Sequence, residues 1–120
     1  MLYMRHQLKE QFNNMLEFAK NADEIARDIT LDKLATDIPY QYSLLYPLGQ
    51  IGELAIKMTR NTDIEKVHSN IDWSRWRGFR NRVFHAYDMI DFSIVLEMIT
   101  EALLLLLIEL QKIHEDFSSH

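Results

Sequence analysis

The sequence predicts an all-α fold, an antiparallel up-and-down four-helix bundle with room for one extra short helix, in a single domain over residues 1–120. Three observations predict it. Only three glycines and two prolines are spread through 120 residues, too few for a succession of hairpin turns. Apolar residues recur at spacings of three and four over long stretches, the period of a helix that buries one face. The connections between those stretches are short, so consecutive helices must return alongside one another.

Leu8, Phe12, Met15, Ala19, Ala22 and Ala26 form the buried stripe of a long first helix whose other faces are charged. "DITLDKLATDIP" reads as a loop holding one turn of helix, capped by Thr30 or Asp32. Leu44, Leu48, Ile51, Ala55 and Met58 mark the core face of the second long helix, which Pro47 should kink or begin. Gly52 leaves room on that helix for a close neighbour. "RNTDIEKVHSNID" has no apolar period and supplies a connection. Asp72 or Ser74 caps a third helix reaching about Tyr87, where "DMID" interrupts it. The last helix runs from about Asp91 to Phe117. Ile94, Val95, Met98, Ile99, Ala102, Leu103, Leu105, Leu106, Leu110 and Ile113 are too many for one stripe, which points to burial on several sides and to a homodimer.

Composition narrows the function classes. With no cysteine there is no disulfide framework and no thiolate zinc site. The opening "MLYMRHQLKEQF" lacks an apolar signal core, and the longest apolar run, Ala102–Ile108, falls short of the roughly 20 residues a bilayer requires. The expectation is a cytoplasmic protein with no membrane partner. A formal net charge of -5 argues against indiscriminate coating of nucleic acid, but it leaves room for a local basic site.

That site is "WSRWRGFRNRVFHAYDMID", residues 73–91, which holds four of the seven arginines and no carboxylate from Trp73 to Tyr87. On one continuous helix Trp76, Phe79, Val83, Ala86 and Tyr87 face the core. Arg75 and Arg82 lie on the far edge, where solvation is simplest. Arg77, Asn81 and His85 make a polar ridge. Arg80 falls among Trp73, Trp76, Phe84 and Tyr87, and is either a buried ion pair with a carboxylate such as Glu53 or a functional guanidinium. His85 is either a hydrogen-bonded histidine near a helix end or a proton-transfer group. Arg80 and His85 diverge by about 140° on an ideal helix. They converge only if the helix loosens, if the arginine reaches round, or if a second copy interleaves its own pair. Arg80 and Tyr87, seven apart, align to within about 20°.

These residues resemble the HEPN superfamily and, within it, the HepT-like toxins of prokaryotic toxin–antitoxin pairs. The resemblance rests on Arg80, the polar Asn81, His85 after four intervening residues, and Tyr87 two further on. It extends to "IGELA" from Ile51 and to the tryptophan-bearing approach and aspartate-marked exit of "IDWSRWRGFRNRVFHAYDMID", and departs at Pro47 and over residues 30–39. It implies a homodimer with a metal-independent endoribonuclease site at the dimer cleft and no cofactor. The resemblance also implies a cognate partner, a minimal nucleotidyltransferase antitoxin as in type VII systems, and points to Tyr87 as the residue it adenylylates; a core tyrosine is the plainer reading of that residue.

The residue types suit that chemistry. Histidine titrates near neutrality and can take the 2′-hydroxyl proton, so His85 is the candidate base. Arginine grips phosphate oxygens at any pH, so Arg80 is the candidate for charge stabilisation. Asn81 would orient His85 or bind phosphate, with Glu53 in support. Arg77 is a further phosphate contact, and Trp73 or Phe84 would stack an exposed base. His6, His68, His114 and His120 have no metal-ligand spacing, so no metal site is expected. The alternative is a non-catalytic module that docks on a nucleotidyltransferase and presents nucleotide or substrate. A bundle whose arginines only hold it together is the third reading.

Overall fold

The computed structural model describes residues 2–60, 62–84 and 89–119, without the side chains of residues 2–4. The fold is all-α, as expected. Helix α1 (Leu2–Ala26) is followed by α2 (Leu31–Thr36), α3 (Ile38–Thr59), α4 (Ile64–Val67), α5 (Trp73–Arg77) and α6 (Phe79–Val83). The chain then closes with α7 (Phe92–Glu97), a π-helical segment (Met98–Ala102) and α8 (Leu103–Ser118). The bundle has four arms: α1, α3, the α5–α6 pair, and the run from α7 to α8. α1 packs on α3 and α8, α3 packs on α5 and α6, and α6 packs on α7.

The stripe of α1 is buried from Phe12 to Ala26, with Leu8 partly covered. Thr30 caps α2, its hydroxyl accepting from the Lys33 N–H at 3.0 Å. The following connection is therefore more than one turn of helix. Asp37 caps α3 by accepting from the Tyr40 N–H, also at 3.0 Å, so the helix begins nine residues before Pro47 and runs through it. Pro47 is neither the start of α3 nor its end. The apolar pattern explains this, because Leu44, Leu48, Ile51, Ala55 and Met58 are all buried and hold α3 to the core on both sides of the proline. Residues 60–72, expected to be plain connection, include the short α4, whose Ile64 is buried.

In the last arm Val95, Met98, Ala102, Leu103, Leu106, Leu110 and Ile113 face the core, while Leu104, Leu105 and Ile108 are exposed on the single chain. Asp91 caps α7, accepting from the Ser93 and Ile94 N–H groups. Among the described residues no helix is long and apolar enough to cross a membrane.

The His68 ring lies edge-on to Phe12 with centroids 5.1 Å apart, and burial holds its pKa below the ordinary histidine value against a weaker opposite pull from Asp116 and Glu109. The unfolded chain therefore binds this proton more readily than the folded one. The resulting stabilisation is complete above the unfolded pKa of about 6.5 and is lost as pH falls from there toward the folded value. The thermal midpoint should drop over that acidic interval, and His68→Phe should flatten the drop when unfolding is followed by circular dichroism.

Candidate active site

The arginine-rich segment begins where Asp72 caps α5, its carboxylate accepting from the Arg75 N–H at 3.2 Å. It is not one helix. Gly78 interrupts it, so that α5 and α6 are two short helices in succession. Their apolar residues Trp73, Trp76, Phe79 and Val83 are all buried. Gly52 of α3 sets how close they come, since a Cβ there would stand 2.7 Å from the Trp76 carbonyl oxygen. No other residue type allows that approach, and it brings the end of α5, and with Phe79 the start of α6, against α3 near Gly49 and Glu53.

The four arginines separate by partner. Arg77 grips Glu65 with two nitrogens at 2.8 and 3.0 Å, and the bond holds the Glu65 carboxyl below its ordinary pKa. Arg82 grips Glu97 in the same way at 2.9 and 3.0 Å, which lowers the Glu97 pKa and raises that of Arg82. Arg75 stands 3.5 Å from Asp72 and 3.9 Å from Glu97. The expectation that Arg82 is simply solvated is thus corrected: it ties α6 to the last arm, while Arg75 lies loosely between two carboxylates. The Glu97 carboxylate comes from α7, which helical geometry within one segment could not reveal.

Arg80 is different. Its side chain is 60% exposed and approaches Glu53 only to 3.6 Å, beyond hydrogen-bond distance. The Glu53 partner is there, but the pair is exposed and loose, not buried. With two nitrogen-to-oxygen grips satisfied at Arg77 and Arg82, Arg80 is the most exposed guanidinium of the segment and the one open to an incoming anion.

Arg80 borders an open cleft of about 290 Å³ with Tyr42, Leu45, Tyr46, Gly49, Phe79 and Phe84. A Cβ at Gly49 would lie 3.5 Å from the Arg80 Nε, so the guanidinium lies along the helix surface there. Tyr42 and Tyr46 are each 62% exposed. Sequence reading missed both tyrosines. Their signal was the spacing Tyr42, Tyr46, Gly49, Glu53, which aligns all four on one stripe of α3.

Trp73 has no such access. It is 2% exposed, its indole N–H donates to the His68 carbonyl at 3.0 Å, and its ring packs near Phe12. The expectation that it stacks an RNA base is corrected; it is a core residue. Phe84, the other stacking candidate, is 37% exposed and lines the cleft. Asn81 is exposed on α6.

The continuous helix expected to reach Tyr87 ends at Val83. Phe84 is extended, with φ -99 and ψ 120, and pairs with Ile90 in an antiparallel bridge, while the Asp91 N–H donates to the Val83 carbonyl at 2.7 Å. The expected alignment of Arg80 with Tyr87 and the divergence of Arg80 from His85 assumed that continuous helix and fall on residues that are not described. His85, Ala86 and Tyr87 lie outside the described residues. Among the described residues no cluster of three or more His, Cys, Asp or Glu side chains is placed to hold a metal ion.

Residues 15–113 match the family profile described as Ribonuclease HepT-like. A protein of Methanocaldococcus jannaschii named "Putative RNase MJ1380" is 25% identical over 97 residues, covering 81% of this chain and 87% of the relative. A Thermococcus cleftensis protein named "Probable ribonuclease HepT" is 26% identical over 98 residues, covering 82% of this chain and 87% of that relative. No solved structure matches at the same level of significance.

Proposed function

The chain belongs to the HepT-like ribonuclease family, and on that footing we propose that it is a metal-independent endoribonuclease, the toxin of a pair whose antitoxin is a minimal nucleotidyltransferase. The single observation that carries the reading is Arg80: the most exposed arginine of its segment, loosely paired and set in an open cleft, where Arg77 and Arg82 are each gripped by a carboxylate through two hydrogen bonds. A phosphodiester is the ligand that an available guanidinium beside aromatic rings suits.

In this scheme His85 takes the proton of a ribose 2′-hydroxyl, and that oxygen attacks the adjacent phosphorus. The O2′–P bond forms and the P–O5′ bond breaks, giving a 2′,3′-cyclic phosphate and a 5′-hydroxyl. An acid, the second protomer's histidine or water, supplies the proton to O5′. Arg80 stabilises the charge that builds on the phosphate oxygens, and Asn81 orients His85 or the phosphate. The exposed Leu104, Leu105 and Ile108 support a dimer, because water-exposed leucines and isoleucine clustered on one helix suit a second copy.

Control falls to Tyr87, in our reading. Adenylylation there adds a bulky anion two residues from His85 and occupies the phosphate site. The test is expression of the chain alone and together with its cognate nucleotidyltransferase, followed by intact mass and an RNA cleavage assay with and without chelator. Cleavage by the free chain that survives chelation, and disappears together with a gain of one or more AMP units on co-expression, is the expected result. Tyr87→Phe should show no mass gain and remain active beside its partner. Neutralisation of Tyr87→Phe as complete as that of the parent would replace modification by masking. A free chain without cleavage would leave the docking module as the better reading.

A further inference from the structure

The stripe of α3 beside Arg80 carries two phenol rings that the cleavage scheme above does not use. Tyr46 is held in place: Phe18 of α1 meets it edge-on, with centroids 6.0 Å apart and planes at 75°, which sets its tilt while most of the ring stays in water. Tyr42 stands one turn earlier on the same stripe. Phe84 contributes a third ring, and Leu45 and Phe79 complete the apolar lining. Gly49 lines the same cleft, and a Cβ there would lie 3.5 Å from the Arg80 Nε, so the guanidinium rests against the bare backbone of α3 beside the tyrosines.

Resting on the ribonuclease reading, we propose that Tyr42 and Tyr46 form a stacking subsite for an unpaired base of single-stranded RNA whose phosphate is held by Arg80. A nucleotide is a flat ring joined to an anion, and this cleft presents ring faces and a cation in one depression. A base in a duplex has both faces covered by its neighbours and cannot enter an open cleft of this kind, whereas a splayed base can. Stacking accepts any base, so the subsite selects for the unpaired state more than for a particular sequence. Electrostatics point the same way. Glu53 borders Arg80 on the side away from the tyrosines along α3, so the phosphate is favoured on the tyrosine side of the guanidinium.

The experiment is titration of a dye-labelled, 2′-O-methylated single strand of about ten nucleotides, which cannot be cleaved, against the intact protein and its variants. Tyr42→Ala and Tyr46→Ala should each weaken binding about tenfold, and Tyr46→Phe, which keeps the ring, should recover most of that loss. Their salt dependence should match the parent's, because no charge is removed, whereas Arg80→Ala should lower the slope of log Kd against log salt by about one. A duplex of equal length should bind more weakly and ignore the tyrosine variants. Tyrosine variants that bind the single strand like a parent that itself cleaves RNA would overturn the subsite and leave the ribonuclease standing. A parent that neither binds nor cleaves would overturn both. Weakened binding accompanied by a smaller mass in light scattering would assign the rings to contact with a second copy instead, and overturn the subsite.

Discussion

Arg80→Ala and His85→Ala should each lower the rate of RNA cleavage by at least about a hundredfold, the scale on which a single charge-stabilising or proton-transfer group contributes. The two losses should differ in everything else. Arg80 is exposed and only loosely paired with Glu53, so its removal should leave the unfolding midpoint in urea close to the parent's. Arg80→Lys keeps the charge but not the two-pronged grip, and should recover part of the activity at most. His85→Ala should leave RNA affinity nearly intact while abolishing turnover, because the proton transfer and not the binding is removed. A folded Arg80→Ala that cleaves at the parent's rate would remove the guanidinium from the chemistry. A His85→Ala enzyme with near-parental rates would do the same for the proposed base.

Gly52→Ala should destabilise the fold by about 2 kcal/mol, a typical cost of overpacking a tight contact. The Cβ would meet the Trp76 carbonyl oxygen at 2.7 Å, and both sides of the contact are backbone, so no side chain can swing aside. The loss occurs although alanine is the better helix former by about 1 kcal/mol. Gly49→Ala is the matched control. There the new methyl would lie 3.5 Å from the Arg80 Nε, an ordinary contact with a flexible side chain, so stability should hold or rise by up to about 1 kcal/mol. Gly52→Ala should also weaken RNA cleavage, because separating α5 and α6 from α3 opens the cleft between Arg80 and the tyrosines. Urea unfolding of the two variants decides the matter: equal stabilities would mean that the close approach does not hold the motif in place.

Much of the architecture is legible in the amino-acid order because it depends on local periodicity. The stripe from Phe12 to Ala26 and the stripe from Leu44 to Met58 are buried as their spacing requires, and Thr30 and Asp72 cap the helices they precede. Gly52 likewise announced a close neighbour, and the motif singled out Arg80. The sequence by itself thus determined the all-α class, the main helices and the basic segment, all of which follow from interactions among residues a few positions apart. Only the tertiary structure decided which arginine is available. Arg82 is engaged by Glu97, fifteen residues away, and Arg77 by Glu65, twelve residues before it. Spacing on one helix carries no information about such partners. The burial of Trp73, the end of α6 at Val83, and the meeting of Arg80 with Tyr42 and Tyr46 were decided at the same level, by how α3, α5 and α6 pack against one another. Ion pairs and clefts are made between elements, and the distances that make them exist only once those elements have docked.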